Sequence, residues 1–208
     1  MPVVRQHKSY VATDAGICRR PCVSPPATIT DQIDLCGRTL TRSSRQGGLM
    51  DQLVLGNAPV AGLTHAELGH IRPVRLAGDS WGGSCPFHGD CIEGLVSGTA
   101  IRARTGAGAE TLAEDDPVWE GVAHTLAQLC HTLVLTGIPR RIVMGGGVIV
   151  GIPHLLPMIR TRLEASLGGY VAARGLLPID AYVVPAALGG MAGPLGAIEL
   201  GARALAGA

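Results

Sequence analysis

Lysine is almost absent from this chain. Lys8 is the only one, and the other sixteen basic residues are arginine. This reads as coding bias, and it nearly excludes a mechanism that depends on a lysine. Aromatic residues make up 3% of the 208 positions, too few for a platform on which single-stranded nucleic acid would stack. No charge of one sign dominates. The net charge is +1, so nothing global drives the chain toward nucleic acid or an anionic membrane. No run of about 18 uncharged apolar residues is present, so no membrane span is expected. The opening MPVVRQHKSY lacks the apolar stretch of a secretory signal. The expected location is the cytoplasm, with no membrane and no nucleic-acid partner. Charged residues are 16% against 47% hydrophobic, too apolar a balance for an intrinsically disordered chain.

Cysteine is not scarce: there are six. A disulfide framework is not expected in a chain long enough to build its own core and without a secretory signal. Cys85 and Cys91 stand out because His88 lies between them and His70 lies not far upstream.

The chain reads as two unequal parts. Residues 1–52 hold seven basic residues and four acidic ones, all aspartate, with no glutamate. Pro-Pro, Arg-Arg and Ser/Thr clusters break its periodicity, and Ser9 to Thr13 is the best strand candidate there. Residues 53–208 carry ten basic and twelve acidic residues and clear patterns. Cys91 to Thr105 has helical spacing, with Gly94 and Gly98 each lowering helix stability by about 1 kcal/mol relative to alanine. Asp115-Asp116-Pro117 is a helix start, and the helix is expected to run to about Thr136. Its apolar face is Val118, Val122, Leu126, Leu129, Cys130 and Leu133, and Gly137 and Pro139 end it. A strand is expected over Arg141 to Met144, a helix from about His154 to Leu167, a strand over Ala181 to Val184 and a closing helix over Leu195 to Leu205. Alternating strands and helices argue an α/β fold.

The densest chemistry lies in His65-Ala-Glu67-Leu-Gly-His70 and, further on, Cys85-Pro-Phe-His88-Gly-Asp-Cys91-Ile-Glu93-Gly. Zinc prefers sulfur and imidazole nitrogen in a tetrahedral shell. His70, Cys85, His88 and Cys91 would close such a shell and leave no position for water, which makes the metal structural. The bland alternative is free buried cysteines and surface histidines in a loop. Glu67 and Glu93 stand beside these ligands. Carboxylates on a stiffened loop suit sugar hydroxyls, each oxygen accepting O–H donors; two ordinary solvated glutamates fit the spacing equally well. Met144-Gly145-Gly146-Gly147-Val148 lies between a strand and a helix, where glycines let the backbone approach a phosphate or nucleotide. A tight strand–helix turn is the other reading, and no Walker lysine follows. His124 and Cys130 read as packing positions, His154 as a helix-start residue without an evident partner, and Trp81 as a cover for the metal loop.

These strings resemble a family. THAELGHIRPVR and CPFHGDCIEGLVSGTAIRAR are similar to the sugar-site and zinc segments of the ROK sugar kinases, and the second string resembles the bacterial fructokinase type. RRIVMGGGV, LLPMIRTRLEASLGGYV and VVPAALGGMAGPLGAIELGARAL resemble the nucleotide-side segment and closing helix of that group. The resemblance covers about Leu55 to Leu205. It implies an actin-like, ribonuclease-H-like α/β fold, mainly the C-terminal lobe, with a zinc loop over 65–93. It implies ATP-dependent phosphorylation of fructose at its terminal hydroxyl, with magnesium, and a homodimer. By position it makes Glu67, His70 and Glu93 sugar-binding, Gly145 and Gly146 adenosine-side, and His70, Cys85, His88 and Cys91 the zinc ligands.

The departures are confined to the first part. The family opens with an Asp-x-Gly-Gly-Thr phosphate loop, and the nearest string here is Thr13-Asp14-Ala15-Gly16-Ile17-Cys18. The family's general-base aspartate has no matched counterpart among Asp31, Asp34 and Asp51. Its Gly-Thr-Gly loop has only Gly47-Gly48-Leu49-Met50 as a relic. Phosphoryl transfer depends on positioning and on charge stabilisation at the phosphates. The expectation is therefore a C-terminal kinase domain over 53–208 behind an atypical segment 1–52, like a frame-shifted or rearranged translation, with the catalytic residue unknown. A fructokinase is the first functional reading and a non-catalytic zinc-containing sugar-binding fragment the alternative. A zinc-dependent DNA binder would need a helix-turn-helix that 1–52 does not resemble.

Overall fold

The computed structural model describes residues 32–34, 52–55, 58–59, 66–170 and 178–205. The expected strand at Ser9 to Thr13, the Thr13–Cys18 string, Asp31, Asp51, Gly47 to Met50 and His65 lie outside the described residues.

The described strands are β1 (Gln32–Asp34), β2 (Gln52–Leu55), β3 (Ala58–Pro59), β4 (Arg141–Met144) and β5 (Val183–Pro185). They form one sheet in the order β3-β2-β1-β4-β5. β1, β2 and β3 run antiparallel to one another in turn, whereas β4 pairs parallel with both β1 and β5. Ile142 thus faces Ile33 on one side and Val183 on the other. β1 belongs to a segment in which the sequence points only to Ser9–Thr13. A three-residue strand has no period of its own and is specified by its neighbours.

Among the described residues the longest helix is α3 (Val118–Gly137). Its start is built as the sequence implies. The Asp116 Oδ1 accepts the Val118 N–H at 2.9 Å, and Pro117 needs no partner for the N–H it lacks. Val118, Val122, Leu126, Leu129, Cys130 and Leu133 are all buried, as their spacing requires. Fully burying a Val or Leu side chain contributes about 1.5–3 kcal/mol, so this face anchors the core. Trp119 is buried with them and donates its Nε1–H to the Ala113 carbonyl at 2.8 Å. The exit differs from expectation. Gly137 is the last helical residue, and Ile138 takes the left-handed turn at φ 45°, a conformation that costs a non-glycine residue about 1–2 kcal/mol.

Two further expectations are corrected. Cys91 to Thr105 is not one helix but α1 (Ile92–Val96) and α2 (Gly98–Thr105), because Ser97 is extended and its Oγ accepts the Ala100 N–H to start the second. The strand expected from Ala181 begins at Val183, because Ile179–Tyr182 closes one helical turn after Pro178. The strand at Arg141–Met144 stands as expected. The remaining helices are α4 (Gly146–Gly151), which was not expected, α5 (Leu155–Leu167), α6 (Ile179–Tyr182) and α7 (Ala192–Leu205). α5 buries Leu155, Leu156, Ile159 and Leu163 in the same cluster as α3. Polar links flank that packing: His131 Nδ1 meets Ser166 Oγ at 2.8 Å, and Arg162 pairs with Glu120. Arg160 ties α5 to the sheet by donating from Nε and Nη2 to the Val183 carbonyl.

Candidate metal centre

The centre is assembled from three short pieces of backbone. A 3-10 turn spans Leu68–His70, with the His70 N–H donating to the Glu67 carbonyl at 3.0 Å. A tight hairpin joins Cys85 and Gly89 by reciprocal N–H···O bonds of 3.1 and 2.9 Å, which turns His88 back toward Cys85. The third piece is the start of α1. Its Ile92 N–H donates to the Ile71 carbonyl at 3.0 Å and so sets Cys91 beside His70. Glycine is required where α1 meets the hairpin. A Cβ on Gly94 would collide with the Gly89 carbonyl and come within 2.9 Å of the Cys85 Cβ.

These contacts bring His70, Cys85, His88 and Cys91 together, with one ligand atom from each lying within 4.8 Å of all the others. The His70 Nδ1 is 3.8 Å from Cys85 Sγ and 3.6 Å from Cys91 Sγ, and the His88 Nδ1 is 3.9 Å from Cys85 Sγ. Neighbouring sulfur and nitrogen donors of a tetrahedral zinc are about 3.5 Å apart, from bond lengths of about 2.3 and 2.0 Å. The donor set and its spacing therefore fit such an ion. Both cysteines are buried, His70 is half-buried and His88 is exposed. Burial pushes the Cys91 thiol up to about 11, and the neighbouring Cys85 and Glu93 push the same way against a hydrogen bond from the Gly94 backbone. A dication at this point would displace the thiol proton. Cys85, Cys91 and Cys130 form no disulfide.

The carboxylates take distinct places. Glu93 lies in the first turn of α1, with its Oε2 3.7 Å from the His70 Nε2, the ring nitrogen opposite the one that meets the sulfurs. Such a carboxylate fixes the orientation of a ligating imidazole. Glu67 is exposed and precedes the turn that ends in His70. Gly145 and Gly146 form a separate feature at the carboxyl end of β4. Gly145 is extended, Gly146 has φ +85°, and α4 begins there. A Cβ on Gly146 would meet nothing within 4 Å. Ligands of open parallel sheets collect at the carboxyl ends of the strands, and this turn occupies such an end.

The residues given bland readings also have places. His124, on α3, donates from Nε2 to the Val74 carbonyl at 2.9 Å and so touches the metal loop. His154 does have partners. Its Nδ1 lies 3.7 Å from Glu114 Oε1, and its ring is edge-on to Trp119. Sequence reasoning missed Arg75, Asp79, Asp90 and Arg104, which form an ion-pair cage around Trp81. Two arginines followed by two aspartates over 72–90 were the available signal, but only the fold says which pairs meet.

Residues 48–204 match the ROK family, and the chain belongs to it. The match begins somewhat before the Leu55 implied by the sequence motifs. A fructokinase of Pediococcus pentosaceus is 42% identical over 144 residues, covering 69% of this chain and 49% of that protein. A fructokinase of Zymomonas mobilis is 36% identical over 151 residues, covering 71% of this chain and 49% of that protein. The chain spans about half the length of the curated relatives it matches. Among solved structures, a ROK hexokinase from Thermus thermophilus superposes with a TM-score of 0.61 at 22% identity, over 82% of this chain and 58% of that one. A ROK family glucokinase from Streptomyces griseus, solved with glucose and AMPPNP, gives a TM-score of 0.55 at 25% identity, over 83% and 61%. The fold is accordingly α/β of the actin-like ATPase, sugar-kinase class. Among the described residues, no helix is long and apolar enough to cross a membrane.

Proposed function

We propose that this chain is the C-terminal, sugar-binding part of an ATP-dependent sugar kinase acting on fructose at its terminal hydroxyl to give fructose 6-phosphate. The observation that carries the reading is the Cys/His cluster with Glu93 behind it, in a family whose Pediococcus pentosaceus and Zymomonas mobilis members are named fructokinase. The AMPPNP of the Streptomyces griseus structure supports ATP as the phosphoryl donor.

The roles follow from the chemistry of the residues. His70, Cys85, His88 and Cys91 would hold zinc, which when bound contributes a rigid cross-link between the turn, the hairpin and α1. Glu67 and Glu93 accept sugar hydroxyls, and charged acceptors of this kind contribute about 1.5–3 kcal/mol each. His70 orients a hydroxyl from the ring edge that faces Glu93. Gly145 and Gly146 leave the backbone at the end of β4 open to the adenosine side of the nucleotide. Magnesium enters with ATP, and no residue of the chain is assigned to it or to the general base. The domain boundary is set near residue 52, with the kinase part following, and a cytoplasmic homodimer is the assembly that fits.

The test is ATP-dependent phosphorylation of fructose by the folded, zinc-loaded chain, followed by ADP release and by detection of the sugar phosphate. Fructose binding that weakens at least about tenfold in Glu93→Gln, with little turnover from a chain to which no general base is assigned, is the expected result. Folded, metal-loaded chain that neither turns over nor binds a hexose would overturn the proposal.

A further inference from the structure

The metal donors are not the only fastening of their loop. Asp79, 8% exposed, sits midway between His70 and Cys91. Its Oδ2 receives Arg75 Nη2 at 3.2 Å and Arg104 Nη1 at 3.0 Å, and its Oδ1 accepts the Trp81 N–H at 3.2 Å. Arg75 carries the linkage onward, donating from Nη2 to the Trp81 carbonyl at 2.7 Å and from Nη1 to Asp90 Oδ2 at 3.2 Å. Asp90 adjoins Cys91. Arg72 reaches Asp90 Oδ1 and the His88 carbonyl, both at 3.5 Å. Arg104 comes from α2, and its guanidinium lies 5.5 Å from the centre of the Trp81 ring. Gly121 of α3 leaves the space, since a Cβ there would lie 3.4 Å from Arg104 Nη1.

No member of this network is a metal donor, yet it ends on the residue before Cys91 and on the backbone of His88. We propose that Asp79 is the positioning residue of the metal loop: by gathering Arg75, Arg104 and the Trp81 amide on one nearly buried carboxylate, it holds the loop in its ligating shape before any cation arrives. The physical reason is charge. Two guanidiniums converge on one carboxylate, and without its charge they would repel each other in a poorly solvated setting. The purpose of the pin rests on the metal reading of the Cys/His cluster; the pin itself can be measured without metal.

The experiment is hydrogen–deuterium exchange on the full chain after chelator treatment. The reporters are the amides of Ser84, Cys85, Gly89 and Ile92, which donate to Gly94, Gly89, Cys85 and Ile71. In the metal-free wild type they are expected to stay protected. In Asp79→Asn, which keeps an acceptor for Trp81 but loses the charge, they should exchange at least about tenfold faster while the α3 amides do not change. Zinc transfer to a chromogenic chelator should quicken by about tenfold or more in the same variant. If Asp79→Asn does not fold, Arg104→Gln should shift the same amides in the same direction. The proposal is overturned if metal-free wild type exchanges these amides as fast as the variant, or if the variant is as protected as the wild type. A separate cobalt(II) titration judges the metal reading. Absence of a thiolate charge-transfer band would remove the metal and leave the exchange data to decide the pin.

Discussion

Asp79 shows how one side chain can be pulled in opposite directions. Burial raises its carboxyl pKa, but the Arg104 hydrogen bond and charge, the Trp81 amide and Arg75 outweigh that, and the net result lies below the ordinary carboxylate value. A carboxyl held down in the folded state stabilises the protein above its unfolded pKa, and that contribution is lost as pH falls through the folded value. The stability gap between wild type and Asp79→Asn should therefore be widest near neutrality and close below about pH 4. Urea denaturation across pH reads it, and a gap independent of pH would show that the cage acts through packing alone. None of this was legible in the sequence, because Asp79 and Arg104 are 25 residues apart and meet only after α2 has folded back on the loop. The Cys/His cluster was legible. Cys85, His88 and Cys91 are close in sequence, and a hairpin closed by Gly89 needs little more than local geometry.

Among the elements, the break between α1 and α2 is the most instructive. Apolar spacing runs through it, so periodicity alone reads one helix. Ser97 competes with the helix for backbone donors, and it wins because its Oγ takes the Ala100 N–H at 3.1 Å and pairs with Thr99 Oγ1 at 2.9 Å. The bend lets α1 present Glu93 and Cys91 to the loop while α2 carries Arg104 to Asp79. Ser97→Ala should cost about 1 kcal/mol of stability, the ordinary worth of such a cap. Chemical denaturation measures it, and an unchanged midpoint would mean the bend is set by tertiary packing instead. α3 raises no such conflict. Its start, its apolar face and its buried residues agree, which is why it could be read directly up to the left-handed exit at Ile138. β5 begins later than its apolar run because Pro178 starts a helical turn and Arg160 holds the Val183 carbonyl.

At the scale of the whole molecule, a mixed sheet carries a helical layer whose core is α3 and α5, and the metal loop is fastened to that layer through α1, α2 and α3. The α/β class was legible from alternating patterns, and the family from the loop strings. The sheet order was not, since β1 is three residues long and its register depends on partners far away in the chain. What the molecule offers chemically is a turn bearing Glu67 and His70 that meets Glu93 at the start of α1, set apart from a glycine turn at the carboxyl end of β4. The measurement closest to that claim is a calorimetric titration of fructose into the zinc-loaded chain, repeated with Glu93→Gln. The account predicts saturable binding to a single site, weakened by about tenfold or more in the variant. A folded, zinc-loaded chain that gives no saturable heat with fructose, or binds it equally well without the Glu93 carboxylate, would contradict it.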